Sequence, residues 1–441
     1  MKLLKVFIII ILIYSCSFDN KTGIWKSNDN LSKKKSGVFT EFKTLAINKD
    51  NFNEVINLKQ EFTFEIPVKI NNYKWEDINY NQFNNYDNFS YNKSKNLIYK
   101  SKKISRHRLQ NSFLYENKNL ILTDNKGNII IYSIEIDEVI TKYNFYKKKH
   151  KKVDKILNIV LNDSIVYISD NLGYVFAFDY RNEKILWAKN NKIPFRSNLK
   201  VKDNKLIAAD QNNNIYFFDT QNGNILKMIP TEDTKIKNEF KNSFSSNSNY
   251  IFMLNTYGSL YAIEKNNNNI RWVQNLNQSL DINPRNLFNA NQLINNEDLI
   301  IVTSHESTFV IDTLSGTILY KFGIISEVKP LITKHYLFLI SSNGLLICIN
   351  LKNGEKIFSY RLNKKIAEYL EIKEKKAMFR NILIGNSKIL ILLKNSYLLE
   401  LDLDGTLKNV SKLPTKSISD LIFIDNSIFY LDNKNKLIIL G

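Results

Sequence analysis

Cysteine, proline, glycine and histidine are all scarce in this 441-residue chain, which has two Cys, six Pro, 13 Gly and four His. Two cysteines exclude a disulfide framework and any CxxC metal or redox motif. The four histidines, His107, His150, His305 and His335, do not fall at metal-ligand spacing. No GxSxG elbow, Gly-rich phosphate loop or readable nucleophile–base pair occurs. The sequence therefore offers no catalytic centre, no metal site and no cofactor site. With so little Gly and Pro, turns must come from Asn and Asp, whose side chains cap turns and tolerate left-handed backbone. Runs such as Asn266 to Asn269 fit that role.

Charge is uneven. The formal net charge is +19, but the lysine excess is spread along the chain. No basic cluster is interleaved with base-stacking aromatics, so nucleic acid is not an expected partner. A basic surface facing anionic lipid stays open. At the N-terminus, Lys2 and Lys5 precede an apolar run from Val6 to Ile13, followed by Tyr14, Ser15 and Cys16. That run is too short to span a bilayer. It resembles a lipoprotein signal over residues 1–15, in which Cys16 becomes the acylated first residue. The alternative is an ordinary secretory signal with an incidental Cys. Ser17 rather than Asp after the Cys implies, by that resemblance, sorting to the outer membrane. Residues 16–58 are polar and poor in apolar anchors, and read as a tether. The second cysteine, Cys348, stands in an apolar run and reads as a buried small hydrophobe.

A repeat fills the rest. Gly173-Tyr-Val-Phe-Ala-Phe-Asp179 is echoed by copies beginning at Gly127, Asn213, Gly258, Glu306, Gly344, Ser396 and Asn435. The spacing averages about 44 residues, the length of one four-stranded propeller blade. Each copy has a preceding strand, a turn, the apolar strand, a second turn with Asp, Asn or Gly, and a closing strand with Ile and an aromatic such as Trp187, Trp272, Tyr320 or Phe358. Consecutive apolar residues (Phe176, Ala177, Phe178) mark strands buried on both faces. The recurring acids Asp179, Asp219, Asp312 and Asp402 read as turn caps. The fold class is all-β, an eight-bladed β-propeller of four-stranded antiparallel blades over residues 59–441. The eighth copy is cut short at Gly441, so an N-terminal strand must close the last blade. The segment Phe62–Ile66 is the expected strand, pairing with Leu437 to Leu440.

The Ala-x-Asp strand, the Gly or Asn turn and the Ile-x-Trp strand resemble the pyrroloquinoline-quinone-like propeller repeat. That repeat occurs in quinoprotein dehydrogenases and in non-enzymatic lipoproteins. With Cys16, the tether, Trp75 and eight copies, the chain resembles the BamB-like lipoproteins of outer-membrane β-barrel assembly. The stretches Asp170–Asp179 and Ile193–Ser197 are most similar to alphaproteobacterial members. The resemblance implies a non-catalytic scaffold, lipid-anchored on the periplasmic face of the outer membrane. Its implied partners are a POTRA domain of BamA, other components of the assembly complex and nascent β-barrel proteins. The family's contact loop follows a blade-closing Trp and falls here on Phe195 and Arg196; the alternative for Arg196 is a solvated loop residue. A second, acidic contact loop would fall near Glu239, but Lys241 departs from that pattern. Two other functions stay open: a periplasmic quinoprotein oxidoreductase, and a propeller that binds sugars or peptides.

Overall fold

A computed structural model describes residues 16–18, 25–27, 54–146, 150–233, 241–277 and 288–441. The expected signal over residues 1–15, most of the expected tether and Glu239 lie outside the described residues. Residues Met1–Leu45 form a unit of their own, in which Cys16–Phe18 pairs antiparallel with Trp25–Ser27.

In the larger unit the repeat becomes eight blades of four antiparallel strands, and the sheet of blade seven is extended to six by Lys69–Ile70 and Asn88–Phe89, which join it in parallel. The apolar strand of every copy is the third of its blade: Asn128–Ser133, Tyr174–Asp179, Ile215–Asp219, Ser259–Glu264, Thr308–Asp312, Leu345–Asn350, Tyr397–Leu401 and Leu437–Leu440. Phe176, Ala177 and Phe178 are fully buried, as are Ala262 and Cys348. Burial also pushes the Cys348 thiol well up. All eight blades carry the same irregularity, a register shift between third and fourth strands just before the last residue or two of the apolar strand. Examples are Ala177/Phe178 and Cys348/Ile349. A bulge at a fixed place sharpens the twist of each outer strand, so it belongs to the repeat.

The closing-strand aromatics do more than fill a blade. Trp187 of blade two lies against the turn glycine of blade three, where a Cβ on Gly223 would come within 2.3 Å of the indole. Trp272 meets Gly316 and Tyr320 meets Gly354 in the same way. Trp187 Nε1 donates to the Thr220 carbonyl at 2.7 Å, and Trp272 Nε1 to that of Thr313 at 3.1 Å. Each glycine has positive φ, which only a residue without Cβ adopts at no cost. Glycine and aromatic are thus the two halves of one joint between neighbouring blades. The preceding acids are the caps expected: the Asp179 carboxylate accepts the N–H groups of Arg181 and Asn182, and that of Asp312 accepts the Ser315 N–H. In blade seven capping passes to Asp404, while Asp402 faces Lys408 at 3.2 Å.

The eighth blade is closed by an N-terminal strand, but not by the expected segment. Leu97–Lys100 pairs antiparallel with Leu437–Leu440, Tyr99 opposite Ile439. Phe62–Ile66 is not a strand; Phe62 and Phe64 instead pack edge-on against Tyr336, and Phe64 reaches Phe358 in blade six. Pro67 has no N–H to give to a ladder, and the two aromatic rings are taken up by Tyr336 and Phe358 of blade six. Docking begins slightly earlier, where Ile56 bridges Ser359 on the outer strand of blade six. A further element absent from the sequence reading is the helix Leu362–Leu370, in the connection between blades six and seven.

The stretch between these two anchors crosses the ring axis. Residues 72–89 circle it once and touch every blade in turn. The Asp425 N–H donates to Asn72 in blade eight; Trp75 and Tyr115 exchange backbone bonds in blade one; the Leu161 N–H donates to Glu76 in blade two. Lys200 of blade three reaches Asp77. The Ser246, Asn295 and Asn386 N–H groups donate to Gln82, Phe83 and Phe89, and Asn85 donates to Ile332 in blade six. This plug lies toward the end of the ring that carries the turns between first and second strands. The opposite face carries the turns between second and third strands and the blade-to-blade connections, because antiparallel order alternates the turns.

Candidate functional site

The loop singled out by sequence, residues 191–199, is the connection from blade two to blade three on the open face. Phe195 donates its N–H to the Asp170 carbonyl at 2.9 Å, and its ring is 1% exposed, edge-on to Tyr216 and Phe218. It braces the loop from below and does not present itself to a partner. Arg196 is bound through its backbone, donating to Ala209 at 3.0 Å and accepting from Asn242 at 2.8 Å. Its side chain is half-buried, and one guanidinium nitrogen, Nη1, is buried without a hydrogen-bond partner among the described residues. Such an orphaned charged donor costs stability unless a partner completes it.

Lys241 stands close by. Desolvation lowers its pKa, and the Arg196 charge lowers it further. Lys241 is nonetheless solvent-exposed, as fits a side chain standing inside a concave, water-filled mouth. That mouth is an axial cavity of about 360 Å3. Ile78 of the plug reaches it, Phe288 and Leu254 give it an apolar wall, and amides such as Asn198 and Asn291 line it. Among the described residues no carboxylate lines it.

Behind the plug lie buried charges that sequence reasoning missed. The Lys200 ammonium donates to Asp77 Oδ2 at 2.7 Å, to the Asn81 carbonyl at 2.8 Å and to Asn84 Oδ1 at 2.6 Å. All three of its protons are satisfied, and desolvation lowers its pKa against the pull of Asp77. Lys329 donates to the Asn84 carbonyl at 2.8 Å and lies 3.9 Å from the Tyr86 ring centre. Burial lowers its pKa to about 7. Nearby, the Asp420 carboxyl, on an exposed residue, is raised by desolvation against the Lys329 and Arg380 charges. The only advance signal was the density of Asn among aromatics from Asn71 to Asn88.

These parts form a ring whose axis is filled at one end by its own chain and whose other face offers loops and a shallow mouth. The family model described as outer membrane protein assembly factor BamB matches residues 125–360 and 230–440, nearly the whole repeat region. The chain belongs to the BamB family. No curated protein sequence matches it. Among solved structures, BamB from Moraxella catarrhalis is similar at 13% identity and a TM-score of 0.59, covering 77% of this chain and 99% of that one. The computationally designed Ika8 protein is similar at 10% identity and a TM-score of 0.55, over 77% and 98% of the two chains. Quinohemoprotein alcohol dehydrogenase from Comamonas testosteroni is similar at 9% identity and a TM-score of 0.59, over 83% and 80%. At these identities the likeness is one of fold. A designed protein and an oxidoreductase share it with a BamB, so the propeller by itself selects no function. The family match, not the fold, discriminates.

The residues here do not fit a quinone held with a metal ion on the axis. The plug occupies one end, the open cavity is lined by amides and a lysine, and among the described residues no three His, Cys, Asp or Glu side chains converge. No helix among the described residues is long and apolar enough to cross a membrane.

Proposed function

We propose that this chain is a non-catalytic scaffold lipoprotein of outer-membrane β-barrel assembly, held by acylated Cys16 on the periplasmic face of the outer membrane. It binds a POTRA domain of BamA through the loops of its open face, and so aids folding and insertion of β-barrel proteins. The observation that carries this reading is the family match across residues 125–440. The contact loop supports it. Arg196 is fixed by backbone bonds at both N–H and carbonyl, braced by buried Phe195, and keeps an unsatisfied guanidinium nitrogen. A rigid, preorganised arginine that can pair with a carboxylate is a typical interface anchor. Lys241 beside it adds a second cation for an acidic partner.

The test is Arg196→Glu, followed by recovery of BamA on co-purification. We expect recovery to fall by tenfold or more, the roughly 2 kcal/mol or greater effect of removing and reversing an interface hot spot. Unchanged recovery removes Arg196 from the interface. Pull-down of β-barrel proteins from membranes with the wild-type chain tests the assembly role itself.

A further inference from the structure

The open face carries a second feature, on an arc that begins one blade away from the Arg196 loop. Between blades one and two lies a cleft of about 470 Å3 lined by His107, Lys126, Lys142, Lys151 and Lys155, with Asn128, Asn144 and Tyr146. Between blades seven and eight lies another of about 690 Å3, with Lys376, Lys394, Lys412 and Lys416 in its lining. Among the described residues neither lining contains a carboxylate. Both clefts are built from turns between second and third strands and from blade-to-blade connections, so both open on the same face. Arg106 and Arg108, in the connection between blades eight and one, are exposed on the arc that joins them.

The first cleft is a formed site rather than a spray of surface lysines. Lys155 is 3% exposed, its ammonium donates to the His150 carbonyl, and it forms no ion pair among the described residues. Burial first, and then the Lys126 charge, lower its pKa against the pull of Asp154, Asp124 and Asp170. Its stem packs on the turn, where a Cβ at Gly127 would lie 3.3 Å from Lys155 Cδ. Lys126 alone has an acidic partner, Asp154 at 2.7 Å. In the second cleft none of the four lysines forms an ion pair among the described residues. Uncompensated cations gathered in hollows of one face are complementary to clustered anions.

Exposed apolar side chains accompany them. Val153 is 42% and Ile156 52% exposed beside the first cleft, and Met378 is 57% exposed in the second. Lysines flanked by exposed aliphatic side chains suit an interface of charged headgroups above an acyl boundary. The pattern does not suit single-stranded nucleic acid, which needs free aromatic faces. Tyr146, the aromatic of the first cleft, has its hydroxyl on Asp170 and its ring covered by Lys155.

We propose that the arc from blade seven through blade two docks on an anionic phospholipid surface, the two clefts receiving phosphate-bearing headgroups. This rests on the membrane placement proposed above, but adds a contact made by the propeller itself. The test uses the mature full-length chain carrying Cys16→Ala, so that no acyl chain contributes. It is sedimented with vesicles of phosphatidylcholine, alone or mixed with phosphatidylglycerol. Binding should require phosphatidylglycerol, and each lysine lost in Lys142→Glu, Lys151→Glu, Lys394→Glu and Lys416→Glu should lower the partition coefficient roughly fivefold. The pair Lys118→Glu and Lys334→Glu, on the opposite face, should leave it unchanged.

Equal binding by the four-lysine variant overturns the proposal, as does equal binding to pure phosphatidylcholine. Displacement from vesicles by dilute inorganic phosphate would make the clefts soluble-phosphate sites and overturn the lipid reading. Binding of a single-stranded oligonucleotide without vesicle binding would overturn it in favour of nucleic acid. No BamA is present, so a negative result here leaves the assembly reading standing, and a failed BamA co-purification leaves this one standing.

Discussion

The ring and the N-terminal segment that crosses it are held by opposite kinds of physics. A blade is apolar, repeated and local: its third strand is buried, and each joint involves only the next blade, as Trp187 does with Gly223. The plug is polar, unrepeated and global: residues 72–89 meet all eight blades through amides, backbone groups and one fully satisfied lysine. Damage to a blade joint should therefore stay local, as in other repeat proteins, whereas damage to the plug should be felt round the whole ring.

The largest effect is expected from Asp77→Ala. It strips the carboxylate from Lys200, which is 4% exposed, and leaves a buried charge without its counter-ion. The cost should be about 3–5 kcal/mol, read as a fall in the urea midpoint of one cooperative transition. Loss confined to blade three would break the contrast.

A smaller effect is expected from Gly223→Ala. The new Cβ must adopt φ near +69° and displace the Trp187 ring. The backbone conformation alone should cost about 1–3 kcal/mol. Hydrogen exchange should quicken at blades two and three while blades six and seven keep their protection. Uniform quickening would show that the joints act together rather than singly.

The last is a slope rather than a step, small over any one pH unit. Lys329 titrates near 7 in the folded ring and at the ordinary lysine value when unfolded. Between about pH 7 and 10 the unfolded chain therefore binds more protons, and stability rises with pH by up to about 1.4 kcal/mol per unit. Below pH 7 the penalty for holding this lysine is fully present. Lys329→Met should flatten that rise in chemical denaturation from pH 7 to 10. An unchanged slope would assign it to other groups.

Most of the blade architecture is legible in the chain. The start of every copy predicts the third strand of a blade, and acids such as Asp179 and Asp312 are the caps their positions suggest. The closing strand was misplaced because an alternating segment such as Phe62–Ile66 and a short one such as Leu97–Lys100 carry similar local signals. Only the ladder with Leu437–Leu440 distinguishes them. Of the contact loop, its position was legible but not its division of labour, since nothing local says that Phe195 faces inward and Arg196 outward.

What the sequence determined by itself is the number of blades, the strand order within each and the absence of disulfide support. Those follow from periodicity, and periodicity is a property of neighbours along the chain. What only the tertiary structure decided is the plug, the buried lysines behind it and the gathering of uncompensated lysines into clefts on one face. Those contacts join residues one to three hundred positions apart, as Lys200 joins Asp77 and Asn386 joins Phe89. No local propensity encodes such pairs; the closed ring brings them together and satisfies buried polar groups that would otherwise be paid for in desolvation.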